Sequence, residues 1–303
     1  MAGPVVVVGA HVQGLFLHVD AVPLEGESVM GSGFEEPADG GKSSNQAVAA
    51  ARLGAPTAFV SVVGSDGRGE RALRLFREEG IDTRFCFQVD GPTDVGFVLL
   101  PPSKIPAIAT ACDRNEELNA ATIERAADAI RSGSLVVCAL EAPQEAALAA
   151  FRIARAANVR TLLNPAPAAE LEPELLELTD ILVPNEHEAA ALADGGGPPA
   201  VLARKLVERL PVEAVVVTAG AAGAYLAERG RVEHVAAPSV EAVDTTGAGD
   251  AFVAALAVRL REGGSLRAAS LFAVRAASLS VTRPGTMPAF PAADEIEPLG
   301  SPI

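Results

Sequence analysis

Val5-Val6-Val7-Val8-Gly9 is the stretch on which the fold turns. Four consecutive β-branched residues ending at a glycine describe a strand buried on both faces, because a half-exposed strand would alternate apolar with polar residues. The surrounding segment invites another reading, since residues 1–19 carry no Asp, Glu, Lys or Arg. It lacks a basic leading region and a small-x-small cleavage site, and His11, Gln13, Gly14 and His18 interrupt it. Neither a signal peptide nor a membrane span is therefore expected, and a soluble cytoplasmic protein is.

Outward from this strand the same rhythm repeats. Apolar runs at Ala58–Val63, Leu135–Leu140, Thr161–Leu163, Ile181–Val183 and Ala214–Thr218 read as further strands. Between them lie helical patterns at Asn45–Leu53, Gly69–Glu79, Ala120–Ser132, Gln144–Ala157, Pro173–Leu178 and Ala200–Leu210. Pro173 suits the first position of its helix, where no backbone donor is needed. Strands separated by helices build βαβ units, hence an α/β fold with a mostly parallel sheet covered on both faces. No internal repeat or low-complexity linker divides the chain.

Two segments break the rhythm. Residues 15–39 hold Pro23, Gly26, Gly31, Gly33 and Pro37, and residues 84–112 place Phe85, Phe87, Val95–Leu100 and Ile105–Ala109 among Gly91, Pro92, Pro101 and Pro102. Both read as hairpin material without helices, and so as a small sheet on one edge of the body. The expected division is a body of residues 1–14, 40–83 and 113–303 and a β lid of residues 15–39 and 84–112, the lid covering a site, making a dimer contact, or both.

Composition narrows the function. Of 303 residues, 49% are hydrophobic, enough for a large core, and the net charge of −15 repels phosphate backbones and anionic lipid. No nucleic-acid or membrane partner is expected. With no Trp and Tyr225 as the one tyrosine, base-stacking platforms are disfavoured. Cys86, Cys112 and Cys138 are odd in number and far apart, as in a chain whose thiols stay reduced. The four histidines share no ligand spacing, so a zinc site is not expected, and G-x-S-x-G and G-x-G-x-x-G are both absent.

The strongest local motif is Ala242-Val243-Asp244-Thr245-Thr246-Gly247-Ala248-Gly249-Asp250-Ala251-Phe252, running into the helical pattern Ala254–Arg261. Gly247 and Gly249 allow close backbone approach where a helix starts, and the free N–H groups and positive dipole end there form an anion pocket. Asp250 falls in the first turn with its carboxylate beside that pocket. An anion hole next to a lone carboxylate suits phosphoryl transfer to an alcohol, the hole holding the phosphoryl group and the carboxylate taking the proton. The plainer reading is an ordinary acidic helix start.

Three further motifs each admit two readings. Val183-Pro184-Asn185-Glu186-His187-Glu188 follows a strand, where ligands bind in open α/β sheets, and Asn185 and Glu188 can face one point and hold Mg²⁺ through water; it also reads as a charged helix N-terminus. Gly40-Gly41-Lys42-Ser43-Ser44-Asn45-Gln46-Ala47 is not a P-loop, because the spacing would need a glycine at Glu36. It suits either a hydroxylated substrate near Lys42 and Asn45 or a close-packed small-residue helix. Thr218-Ala219-Gly220-Ala221-Ala222-Gly223 either admits a nucleotide or turns a hairpin into Ala224–Leu226.

Taken in order with Leu163-Asn164-Pro165-Ala166-Pro167-Ala168, these motifs resemble the ribokinase-like (PfkB) carbohydrate kinases from Val5 to about Pro291. The resemblance implies a three-layer α/β/α body with a small β-sheet lid and an ATP- and Mg²⁺-dependent kinase acting on a small sugar or sugar-like acceptor. It implies Asp250 as catalytic base and the backbone of Gly247, Ala248 and Gly249 as anion hole. Asn185 and Glu188 match positions near the ATP phosphates and Mg²⁺, and Thr218, Gly220 and Gly223 match the nucleotide-side turn. Gly41, Lys42, Asn45 and Glu141 match sugar-contacting positions. Asp244 and Thr246, with carbonyls around Val281–Gly285, resemble a monovalent-cation loop that takes K⁺ in this family, and the lid implies a homodimer.

Four positions depart from the family pattern. Val12 stands where ribokinases carry Asn, and Gly14 where the family carries a carboxylate that grips adjacent sugar hydroxyls, which argues against plain ribose. Val274 replaces an Asn or His near the adenine, and Ala289 a serine of the cation loop, which argues against strong K⁺ dependence. A nucleoside or cyclitol kinase, and a catalytically silent nucleotide- or sugar-binding protein on the same scaffold, stand as the alternatives.

Overall fold

The computed structural model describes residues 2–37, 39–103 and 107–296. Chain order runs β1 (Val5–Val8), β2 (Gln13–Val19), β3 (Gly31–Glu35), α1 (Lys42–Arg52), β4 (Thr57–Gly64), α2 (Gly67–Glu78), β5 (Cys86–Val89), β6 (Val95–Leu100) and β7 (Ala107–Ala111). It continues with α3 (Ala120–Arg125), α4 (Ala127–Ser132), β8 (Leu135–Ala139), α5 (Gln144–Ala156), β9 (Arg160–Asn164), α6 (Pro173–Glu177), β10 (Ile181–Leu182), α7 (Glu186–Leu192) and α8 (Pro199–Arg209). Then follow β11 (Ala214–Thr218), β12 (Ala224–Glu228), β13 (Arg231–Val235), α9 (Ala248–Arg261), α10 (Leu266–Ser280) and α11 (Ala293–Ile296).

Among the described residues these strands make a nine-stranded sheet of order β13-β12-β11-β10-β9-β8-β1-β4-β5 and a four-stranded sheet of order β3-β2-β6-β7. The larger sheet is parallel from β5 through β11 and turns antiparallel at β12 and β13. It is the expected α/β/α body, with the four-stranded sheet as its lid. In β1, Val5 and Val7 pack into one core with α1, α2, α9 and α10, whereas Val6 and Val8 pack into the other with α3 to α8. That division is what a continuous valine run requires, and each such fully buried side chain contributes about 1.5–3 kcal/mol.

Local chemistry starts the helices where the sequence signals stand. Asp66 caps α2, Asn119 caps α3, and Pro173 and Pro199 occupy first-turn positions of α6 and α8. The pattern at Ala120–Ser132 divides at Ala126 into two helices. Leu266–Ser280 forms a helix that the sequence reading did not mark.

Cys86–Val89, grouped by sequence with the small sheet, pairs parallel with β4 at the edge of the large one, its Cys86 Sγ against the Phe59 carbonyl. It follows α2 as the second strand of a βαβ unit that begins with β4. The small sheet takes in Gln13 and Gly14, because β2 begins at Gln13 opposite Val95. Of the expected strand Ile105–Ala109, the first two residues lie outside those described. No described helix is long and apolar enough to cross a membrane.

Strand order reverses direction between β1 and β8, since the chain winds outward from β1 to β4 and β5 on one side and from β8 to β11 on the other. The crevice beyond the carboxyl ends of strands at such a point is where open α/β sheets take ligands. Gly9–Gly14 leaves β1 there, and Leu140–Glu141 leaves β8.

Candidate active site

Helix α9 presents its N-terminus to this crevice. Gly247, its N-cap, has φ 75° and no side chain to cap the first turn. A Cβ at Gly247 would stand 2.6 Å from Thr286 Cγ2 and 3.1 Å from Phe290 Cε1, so glycine is required by conformation and by space. Ala248 N–H donates to the Thr245 carbonyl at 3.3 Å. The amides of Gly249 and Asp250 lie in the first turn, where helix geometry supplies no acceptor. A Cβ on Gly249 would meet nothing within 4 Å, so the helix mouth opens onto free space.

Asp250 is 7% exposed. Its Oδ2 accepts from Asn45 Nδ2 at 2.9 Å and its Oδ1 from Gln46 Nε2 at 3.2 Å. Burial pushes its carboxyl above the ordinary aspartate range, opposed by the Lys42 charge and then by the two amide donors. Gln46 Nε2 also donates to Asn164 Oδ1 at 3.1 Å, and Asn164 Nδ2 donates to the Val183 carbonyl at 2.9 Å. Among the described residues Asp250 takes part in no ion pair.

Helix α1 delivers the rest. Gly41, with φ 86°, turns the chain into the helix, and the Lys42 N–H donates to the Glu141 carboxylate. Glu141 is pushed up to about 7, chiefly by burial and in smaller part by the Asp250 charge, against the pull of Lys42. The Lys42 ammonium acts electrostatically on Glu141, Glu188 and Asp250 together. Asn45 Oδ1 is buried and has no partner among the described residues, an unengaged acceptor on the side chain whose amide nitrogen holds Asp250.

Asn185 and Glu188 close a capping box at the start of α7. Glu188 N–H donates to Asn185 Oδ1 at 2.9 Å, while Glu188 Oε2 and Oε1 each accept at 2.8 Å from Asn185 N and Nδ2. The plainer reading of this motif, a helix start, is thus its local structure. Burial pushes Glu188 up. Thr218 N–H donates to the Pro184 carbonyl at 3.0 Å, which sets this motif beside the 218–223 turn. That turn joins β11 to antiparallel β12, and a Cβ on Gly223 would stand 2.1 Å from the Val235 carbonyl oxygen.

Behind α9, Asp244 Oδ1 accepts from Thr246 N–H at 2.9 Å and Oδ2 from Gly285 N–H at 3.0 Å. The Val281 carbonyl accepts from both Val243 and Asp244 N–H, which uses its two lone pairs. These bonds stitch the 243–246 loop to residues 281–285.

The structure therefore gathers Gly41, Lys42, Asn45, Glu141 and Asp250 at one crevice, with Gly247–Gly249 at its edge. Asn185, Glu188, Thr218, Gly220 and Gly223 form a neighbouring group, and Asp244 and Thr246 lie behind α9. Gln46 and Asn164 escaped the sequence reading. A polar residue directly after Asn45, and an Asn at the very end of a buried strand, were the available signals.

The sequence pattern described as pfkB family carbohydrate kinase matches residues 5–293. The ribokinase of Haemophilus influenzae is 36% identical over 285 residues, covering 92% of this chain and 93% of that one. The crystal structure of a ribokinase from Thermotoga maritima superposes with a TM-score of 0.90 at 30% identity, over 98% of both chains. A structure of Arabidopsis thaliana ribokinase complexed with ribose and ATP gives a TM-score of 0.89 at 27% identity, over 99% of both. With that pattern, these relatives and this crevice in agreement, the chain belongs to the pfkB family of carbohydrate kinases.

Proposed function

We propose that this carbohydrate kinase transfers the γ-phosphoryl group of ATP to a hydroxyl of a small sugar-like acceptor, with Asp250 as the base. The observation that carries this is the setting of Asp250: buried, unpaired with any cation at contact distance, held by two neutral amides, and one residue from the open helix mouth at Gly249. The acceptor hydroxyl lies against Asp250 and gives up its proton to the carboxylate as bonding to phosphorus develops. Asn45 and Gln46 keep the carboxylate aimed and ionised. The Gly247–Asp250 backbone receives the charge on the equatorial oxygens, in a water-poor site where such donors act strongly. Gly41, Lys42, Asn45 and Glu141 hold the acceptor.

ATP takes the side of Asn185, Glu188, Thr218, Gly220 and Gly223. No described group of three or more His, Cys, Asp or Glu is set to hold a metal ion. The carboxylate and amide oxygens at Asn185 and Glu188 fit Mg²⁺ carried mainly by phosphate and water, with Glu188 outside the first layer. When bound, the ion neutralises phosphate charge. Asp244 and Thr246 offer oxygen donors suited to K⁺, whereas the Val281 carbonyl is already taken. A homodimer through the four-stranded sheet is supported by the exposed Phe34, Phe97 and Ile108.

Asp250→Asn tests the reading. Turnover in a coupled ATP assay is expected to fall by at least about three orders of magnitude, with ATP affinity by calorimetry unchanged. Near-normal turnover would remove Asp250 from the role.

A further inference from the structure

The turn that joins β11 to β12 has no buried side chain of its own to anchor it. Gly220, Ala221 and Ala222 are exposed, and a Cβ on Gly220 would meet nothing within 4 Å. Backbone bonds close the turn at its base. Ala219 N–H donates to the Gly223 carbonyl at 2.8 Å, and Ala222 N–H to the Ala219 carbonyl at 2.9 Å. The outer end is held from β13, where His234 Nε2 lies 2.7 Å from the Ala222 carbonyl oxygen. A carbonyl only accepts, so Nε2 carries the proton in this contact, and neutral and charged imidazole alike can supply it.

The His234 ring is itself braced. It stands opposite Tyr225 in the β12–β13 pair, and the two rings stack with centroids 4.3 Å apart and planes 16° from parallel. Tyr225 packs with the core on the α3 to α8 side of the sheet, whereas Ala224, Leu226 and Val235 pack into the core shared with α9 and α10. The ring pair therefore approaches the turn from the face of the sheet opposite α9. A cross-strand aromatic pair supports strand pairing by its rings alone. Here the ring nitrogen is directed at the turn instead, at the short end of the N–H···O range.

Resting on the nucleotide-side reading of Thr218, Gly220 and Gly223 above, we propose that His234 is a positioning residue for ATP. Stacked on Tyr225, it fixes the 220–222 turn through the Ala222 carbonyl in the conformation that receives the nucleotide. Gly220 and Gly223 have φ of 49° and 95°. Without the His234 bond these two glycines leave the segment free to spread over other conformations, and the nucleotide has to order it on binding. His234 acts through the turn, so its effect falls on nucleotide affinity and not on proton transfer at Asp250.

The test is calorimetric titration of the full chain with ADP and Mg²⁺, with no acceptor present, so that the identity of the acceptor does not enter. His234→Phe keeps a ring on Tyr225 and removes the donor. Its Kd should rise by about threefold to tenfold, with the melting temperature little changed. His234→Gln, whose amide nitrogen can take the place of Nε2, should bring Kd back to within about twofold of the wild type. Wild-type affinity in His234→Phe, or equal weakening by His234→Phe and His234→Gln, overturns the inference. Ala221→Glu tests the underlying reading, since a negative charge on the exposed turn should weaken ADP by about tenfold or more where the phosphates lie close. Unchanged affinity in Ala221→Glu overturns the placement of ATP and the inference together. Weakening by Ala221→Glu with wild-type affinity in His234→Phe overturns the inference alone.

Discussion

Gln46 Nε2 lies 3.2 Å from Asp250 Oδ1 and 3.1 Å from Asn164 Oδ1, so one amide joins the buried carboxylate to the end of β9. The two partners of the first bond are 204 residues apart in sequence. Gln46 orients Asp250 and holds its charged form.

Removing that donor should change the titration as well as the rate. Hydrogen bonds to a charged group contribute about 1.5–3 kcal/mol, and losing one that favours the carboxylate raises its pKa. Gln46→Leu should lower kcat by about 10- to 100-fold and move the acid limb of the pH–rate profile upward. A fall in kcat with an unmoved profile would leave Gln46 a packing role only.

The two glycines at the mouth of α9 should separate stability from catalysis. Gly247→Ala puts a side chain at φ 75° and against Thr286 and Phe290, so thermal unfolding should show a loss of about 1–3 kcal/mol. Gly249→Ala adds a methyl in open space on helical backbone. Its melting temperature should hold or rise, since alanine favours a helix, while turnover should fall by about tenfold or more, because the methyl would crowd the anion hole proposed at this helix mouth. Unchanged turnover in the Gly249 variant would move the phosphoryl site elsewhere.

Glu141 and His11 bias stability in opposite directions with pH. Glu141 is raised to about 7 in the folded protein, so its contribution is fully present below its ordinary value of 4.5 and is lost as pH climbs through 7. His11, its Nδ1 3.2 Å from Ser44 Oγ, is lowered to about 4 by burial, so its contribution is present above 6.5 and is lost as pH falls toward 4. Each shift corresponds to about 3 kcal/mol. Between roughly pH 4.5 and 6.5 the two slopes largely cancel. Glu141→Gln should therefore gain stability over the wild type as pH rises from 5 to 8, read by denaturant titration at several pH values. A difference that stays flat with pH would place the Glu141 titration outside this range.

Much of the body was legible because its strands are continuous apolar runs. Val5–Val8 and Ala214–Thr218 end where the pattern ends, and Thr57–Gly64 within a residue of it. Leu266–Ser280 was not legible: it buries Ser270, Ser278 and Ser280 among alanines, and so lacks the polar face by which a surface helix is recognised. Cys86–Val89 carries too little β signal in four residues to be told from the lid strands. At the site, Asp250 and Asn45 stood out by local context. Gln46 did not, because its meaning comes from partners on β9 and α9. Asn185 and Glu188 were visible as a pair, and their mutual hydrogen bonds are what three-residue spacing at a helix start produces.

Helix α1 has one more attachment. Its last residue, Arg52, donates through its guanidinium to Glu79 and to the Met287 and Phe290 carbonyls, and the Phe290 ring is what crowds Gly247. A strut of eleven residues therefore spans from Lys42, beside Glu141, to the buttress behind Gly247. On the kinase reading proposed above, the gauge between acceptor and phosphoryl group is cut into that single rod.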